Sequence, residues 1–256
     1  MKSTSTTDAK QQVPWNPWLG VVYVLVTFFL SQILAGLLLS IYPALQHWTN
    51  AQANDWISNS INAQFFYVLL AEGLALGLLY LFLRGYRTSF AVVGLRKPRW
   101  LDVGKGALAF PVYFVAYLFI TGIAAGLIHG LNVDQAQDIG FNNVHTLLPL
   151  VLTFISLVIL PPLTEEIMVR GFLFGSLRKN LSFIWATLIT SLIFASAHLP
   201  EGGSAGPLWI GAIDTFILSV VLCYLREKTN SLWAGITLHA LKNGVAFVAL
   251  FLIGSH

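Results

Sequence analysis

Seven long apolar segments constrain the fold of this 256-residue chain more than any other feature. A helix needs about 20 mostly apolar residues to cross a bilayer, and in lipid the backbone must satisfy its own hydrogen bonds. Only 10% of the residues are charged, whereas soluble domains carry roughly 25%. The sequence therefore predicts an all-α, polytopic transmembrane helical bundle of about seven spans. The predicted spans are 19–42, 63–83, 103–128, 147 to about 177, 181–198, 207–225 and 231–253.

The connections between these spans differ in charge. Residues 84–102 carry five Lys or Arg, whereas 43–62 and 129–145 carry none. Because basic loops stay on the cytoplasmic side, the N-terminus is predicted to be cytoplasmic. We expect residues 43–62 to be a polar loop and 199–206 a short glycine-rich loop. The net charge of +3 is small, so the predicted partner is the lipid bilayer and not a nucleic acid.

No polar linker divides the chain. The sequence predicts a polar N-terminal tail over 1–18 and one transmembrane helical domain over 19–253. Trp15 and Trp18 are expected to anchor the start of the first span, because Trp favours the headgroup level. A single cysteine, Cys223, rules out an intrachain disulfide and is expected to be a small core residue.

A charged stretch interrupts the fourth span. Glu165, Glu166 and Arg170 lie within otherwise apolar sequence, where a charge costs roughly 2.5–3.5 kcal/mol at the bilayer centre. Glu166 and Arg170 are four residues apart, so they can pair on one helix face. Glu165 lies about 100° away on the helix and has no such partner. The stretch is either a functional site or a buried ion pair that locks helix packing.

Two prolines precede this stretch. Pro161 and Pro162 lack N–H groups, so the carbonyls of Leu157 and Val158 lose their usual donors. A break of this kind is tolerated in a membrane where a cavity or a neighbouring helix satisfies the freed groups. We expect the helix to break here and restart, with its positive end directed toward a polar cavity.

Two further polar pairs lie on later spans. Phe194 and His198 are four residues apart near the end of the fifth, and His239 and Asn243 share a face of the seventh. Lys242 lies about 60° from His239 on that helix and could also approach the cavity.

This set of side chains suits the addition of water to a carbonyl. A carboxylate and an imidazole can deprotonate a water molecule, and an imidazole and a carboxamide can donate to an oxyanion. The sequence contains no G-x-S-x-G and no H-E-x-x-H motif. Glu165, His198 and His239 could also form a zinc site, so a metal is not excluded by residue type.

Two more acids lie within predicted spans. Glu72, in the second span, is interpreted as a structural group that bonds to a neighbouring helix. Asp214, in the sixth, lies between the two histidine-bearing segments and is equally consistent with a structural and a functional role.

The order E-E-x-x-x-R, F-x-x-x-H and H-x-x-x-N over residues 145–248 resembles the CAAX protease and bacteriocin-processing (CPBP, or Abi) family. That family includes the type II CAAX prenyl endopeptidases. The resemblance implies an intramembrane glutamate endopeptidase in which Glu165 and His198 activate water. His239 and Asn243 would form the oxyanion hole. Supporting residues would be Glu166, Arg170 and Phe194.

The resemblance also implies a substrate and a location. The substrate would be a membrane-associated or lipidated CAAX-type protein or peptide, the membrane would be the plasma membrane of a prokaryote, and no cofactor would be needed. One alternative is a non-catalytic protein of the same fold that binds peptides or confers bacteriocin immunity. Another is a transporter or proton relay that uses the membrane-embedded acids.

Overall fold

The computed structural model describes residues 13–141, 144 and 146–254, so residues 1–12 of the predicted tail lie outside it. Every regular element in these residues is helical, and seven helices are long and apolar enough to cross a membrane. The predicted all-α bundle is confirmed. Its α-helices are α1 Pro17–Leu45, α2 Asn50–Asn59, α3 Ile61–Gly85, α4 Trp100–Leu127, α5 Leu147–Phe154, α6 Leu160–Glu165, α7 Phe174–Arg178, α8 Phe183–Ala197, α9 Trp209–Thr229 and α10 Trp233–Phe247. The π-helical segments are Ile155–Ile159, Glu166–Leu173 and Val248–Ile253, and Leu199–Ala205 is a 3₁₀ segment.

The fourth span, Leu147–Arg178, is one continuous helix. The predicted break at the prolines is wrong, because the helix widens to π geometry just before them. The Leu160 N–H donates to the carbonyl of Ile155, five residues back. A π segment shifts the hydrogen-bonding register by one residue, and the chain then continues through Pro161 and Pro162 without a new N-terminus.

The fourth span also forms the centre of the bundle. All eight residues of its second π segment, Glu166–Leu173, are buried, as expected of a helix enclosed on every side. This segment contacts α1, α8 and α9. Outside it, α1 packs on α3, and α4 packs on α9 and α10. Glu166 therefore lies at the centre of the bundle, among α1, α8 and α9, and Glu165 directly precedes this segment.

The connections contain more structure than the sequence indicated. Residues 43–62, predicted to be a loop, contain α2, whose start is closed by a capping box between Thr49 and Gln52. Residues 199–206, predicted to be a second loop, are largely the 3₁₀ segment that follows α8.

Trp15 does not act as an interfacial anchor. Its side chain is only 1% exposed, its Nε1–H donates to Ser176 Oγ at 2.6 Å, and its ring stacks on Phe172. The predicted tail therefore packs against the bundle from residue 13 onward. Trp18, which is 58% exposed, keeps the surface position expected of an anchor.

Candidate active site

Glu166 and Arg170 form a buried ion pair, as their spacing predicted. Arg170 Nη1 lies 2.9 Å from Glu166 Oε1, and both side chains are almost completely buried. Space for the carboxylate comes from Gly235 on α10, where an added Cβ would lie 2.6 Å from Glu166 Oε2. The pair therefore depends on a glycine in another helix, which no motif in the sequence indicated.

His239 lies between the two glutamates. Its Nδ1 is 3.3 Å from Glu166 Oε1, and its Nε2 is 3.7 Å from Glu165 Oε2. The Nδ1 contact is within hydrogen-bond range and the Nε2 separation is beyond it, so Nδ1 carries the proton that the Glu166 carboxylate accepts. Glu166 thus binds both Arg170 and His239 and fixes the orientation of the imidazole.

Phe194 separates the ion pair from the second histidine. The Arg170 guanidinium carbon lies 4.2 Å from the centre of the Phe194 ring, a cation–π contact. The same ring makes edge contacts with the rings of His198 and His239, at centroid distances of 4.7 and 6.2 Å. Phe194 therefore packs beside the site, in the position expected for it.

His198 caps the C-terminal end of α8. Its Nδ1 is 2.8 Å from the Phe194 carbonyl oxygen. A carbonyl only accepts hydrogen bonds, so Nδ1 carries the proton in this contact. In the neutral ring the lone pair then lies on Nε2, where it can accept a proton from water.

Asn243 binds the carbonyl that the prolines leave without a donor. Its Nδ2 donates to the Leu157 oxygen at 2.9 Å, which confirms that this carbonyl needs a partner outside its own helix. The second N–H of the Asn243 amide remains for another acceptor. The side chain can therefore hold the proline segment in place and still donate toward the cavity.

A cavity of about 380 Å³ joins these groups. Its wall includes all four predicted catalytic residues and Phe194, whereas Glu166 and Arg170 lie behind the wall and do not line it. Side chains from the first, second, fourth, fifth, sixth and seventh spans contribute. The polar residues on the wall include Gln32, Glu72, Gln137, Glu165, His198, Glu201, His239, Lys242 and Asn243.

Two carboxylates on this wall lay outside the predicted site. Glu72, interpreted from the sequence as structural, faces the cavity, and so does Glu201. Glu201 accepts a hydrogen bond from Gln137 Nε2 at 2.7 Å. Gln137 belongs to the connection between the third and fourth spans. The only sequence signal for Glu201 is its position three residues after His198.

The donor arrangement does not favour the zinc alternative. In the parts of the chain that the structure describes, no group of three or more His, Cys, Asp or Glu side chains is arranged to hold a metal ion.

Fold and site together define an integral, multi-pass membrane protein with a carboxylate–histidine site in an internal cavity. Residues 146–245 match the family described as type II CAAX prenyl endopeptidase Rce1-like. This span nearly coincides with the 145–248 region of the motif resemblance, which is thereby confirmed. This part of the chain is therefore similar to a family of prenyl endopeptidases.

A curated relative extends the similarity beyond that domain. The chain is 25% identical over 225 residues to the Bacillus subtilis (strain 168) protein named "Putative membrane peptidase YdiL", covering 86% of this chain and 85% of the relative. No solved structure gives a significant match.

Proposed function

We propose that this protein is an intramembrane endopeptidase that hydrolyses a peptide bond of a membrane-associated protein or peptide. The observation that carries the proposal is the position of His239, with one ring nitrogen near each of Glu165 and Glu166, on the wall of a cavity that also holds His198 and Asn243. The Rce1-like domain and the peptidase name of the curated relative support the same reaction class.

Water activation is assigned to Glu165 and His198. Glu165 and His198 both line the cavity, and the His198 Nε2 lone pair is available, so a water molecule in the cavity can be held between the two side chains. As the water oxygen bonds to the peptide carbonyl carbon, its proton passes to the Glu165 carboxylate. General-base assistance of this kind contributes about 10² to 10⁴ in rate.

Oxyanion stabilisation is assigned to His239 and Asn243. When the carbonyl oxygen becomes negative, the second Asn243 N–H can donate to it. His239 can donate from Nε2 as an imidazolium, the form in which Nδ1–H bonds to Glu166 and Nε2–H is left for the oxyanion. One such donor contributes about 10² to 10³ in kcat. The C–N bond then breaks, and the proton held by Glu165 passes to the leaving amine. Glu166 and Arg170 take no part in bond making and hold His239 in place.

Substrate and orientation extend the proposal. The domain match supports a CAAX-type substrate, lipidated near its C-terminus. Five Lys or Arg in residues 84–102 support a cytoplasmic N-terminus. The Bacillus subtilis relative supports the plasma membrane of a prokaryote as the location.

The test is a proteomic comparison of membrane-protein C-termini. Cells that lack the protein are complemented with the wild type, with Glu165→Gln, or with Asp55→Asn, a carboxylate-to-amide control on the exposed α2 helix. We expect new C-termini with the wild type and Asp55→Asn but not with Glu165→Gln. Identical C-termini in all four strains would contradict the proposal and favour a non-catalytic binding role.

A further inference from the structure

Lys242 is a cation on the cavity wall with no assigned part in water activation or oxyanion binding. Among the described residues that line the cavity, it is the only Lys or Arg. Its side chain is 26% exposed, and its Nζ lies 3.2 Å from Asp214 Oδ2. Lys242 directly precedes Asn243 and follows His239 by three residues, so it lies within one turn of α10 from both proposed oxyanion donors.

Two residues outside the cavity hold the Lys242 ammonium in place. Asp214 lies on α9, and its second carboxylate oxygen accepts from the hydroxyl of Tyr113 on α4. Neither Asp214 nor Tyr113 lines the cavity. An ammonium has three donors, so two of them remain after the contact with Asp214, and the structure describes no partner for them. Lys242 is therefore oriented by two helices, and its side chain lines the cavity.

The other ionisable groups on the wall cannot attract an anion in the same way. They are three carboxylates and two imidazoles, namely Glu72, Glu165, Glu201, His198 and His239. In their ionised form the carboxylates repel an anionic substrate group, and in their neutral form they carry no charge to attract it. A carboxylate that enters the cavity is therefore confined to the neighbourhood of Lys242, which sets the position of the peptide along the site.

We propose that Lys242 binds a carboxylate of the peptide substrate and so determines specificity for anionic peptides, an inference that rests on the proposed peptidase function. Two to three residues of extended chain span roughly 7–11 Å. Along α10 the rise from Lys242 is only about 1.5 Å to Asn243 and about 4.5 Å to His239, so a carboxylate bound by Lys242 lies a few residues at most from a carbonyl at the oxyanion donors. The carboxylate is therefore expected within two or three residues of the scissile bond. It can be the C-terminal carboxylate or an Asp or Glu side chain.

A purely structural role makes a different prediction. If the contact between Lys242 and Asp214 only clamps α9 against α10, any pair of opposite charges at these positions will restore function. Exchanging the residues, Lys242→Asp with Asp214→Lys, keeps a pair across the two helices but removes the cation from position 242. The exchange therefore separates substrate recognition from helix clamping.

The experiment measures kcat and KM of purified protein in lipid nanodiscs. The probes are synthetic peptides that span a cleavage site found by the C-terminal comparison. One has a free C-terminal carboxylate, the second has a C-terminal carboxamide, and in the third each Asp and Glu near the site is replaced by the amide. The variants are Lys242→Arg, the double change Lys242→Met with Asp214→Asn, and the exchange. The control is Lys105→Met at an exposed position on α4.

The wild type, Lys242→Arg and Lys105→Met should all prefer probes that keep the recognised carboxylate. For these three proteins, replacing that carboxylate of the probe by an amide should lower kcat/KM about 10- to 100-fold, mainly through KM. This is the effect of losing one charge-assisted hydrogen bond. The probe that loses activity identifies the carboxylate. The double variant and the exchange should cleave all probes with similar kcat/KM. Restoration of the preference by the exchange, or no preference in the wild type, would overturn this inference alone. No cleavage by the wild type would overturn the proposed function as well.

Discussion

Replacing Glu166 by Gln should destabilise the protein through the cation that it leaves behind. Arg170 is completely buried, and its Nε and Nη2 have no hydrogen-bond partner in the described structure. Removing the counter-charge from a buried pair costs about 3–5 kcal/mol, which corresponds to a loss of melting temperature on the order of 10 °C for a chain of this length. The His239 Nδ1 contact weakens at the same time, so turnover per folded molecule should also fall.

A second change isolates the cause. In Glu166→Gln with Arg170→Met no charge is left unpaired, so most of the stability should return. About 1–3 kcal/mol should remain lost, because the cation–π contact with Phe194 and the acceptor for His239 are gone. A matched control is Asp102→Asn, since its partner Arg99 is 63% exposed and stays hydrated, for a cost of about 1 kcal/mol or less.

The assay is thermal unfolding of detergent-extracted protein, followed by loss of the monodisperse chromatographic peak. If Glu166→Gln melts within about 2 °C of the wild type, which corresponds to less than about 1 kcal/mol, the buried-pair reasoning is refuted. If the double variant is less stable than Glu166→Gln, Arg170 is held by groups other than Glu166.

Three further predictions concern Gly235, Asn243 and metals. Gly235→Ala places a Cβ 2.6 Å from Glu166 Oε2 and should cost about 1–3 kcal/mol by overpacking; an unchanged melting temperature would mean that the carboxylate is free to move. Asn243→Ala should lower kcat about 10²- to 10³-fold, because an oxyanion donor is lost. It should also lower stability by about 1–3 kcal/mol, because the Leu157 carbonyl loses its donor. Unchanged kcat and unchanged stability would contradict both roles of Asn243. Chelation with EDTA or phenanthroline should leave turnover unchanged, and stoichiometric zinc whose removal and return abolish and restore activity would contradict this.

Span number and the main ion pair were predictable because both depend on local rules. Apolar length predicts the helices, and a four-residue spacing predicts the contact between Glu166 and Arg170. The approach of His198 and His239 was harder to predict, because counting residues along their spans gives different depths in the membrane. Their rings nevertheless both contact Phe194, so the motifs were a better guide to proximity than the residue count.

The remaining features of the site depend on tertiary contacts that no single segment encodes. Continuity through Pro161 requires a π segment before it and a donor, Asn243, from a helix about 80 residues later along the chain. Glu72 and Glu201 reach the cavity only through helix packing and the connection that bears Gln137. The contact between Lys242 and Asp214 likewise joins two helices whose relative rotation the sequence does not indicate.

The most direct test of the central claim is peptide release per folded molecule by purified Glu165→Gln. The substitution keeps the size and hydrogen-bonding shape of the side chain but removes the base that takes a proton from water. We expect turnover to fall about 10²- to 10⁴-fold, with the melting temperature within about 2 °C of the wild type, since Glu165 Oε2 makes no hydrogen bond in the described structure. Near-normal turnover by folded Glu165→Gln, or a Glu166→Gln variant that is inactive but as stable as the wild type, would show that the roles of the two glutamates are wrongly assigned.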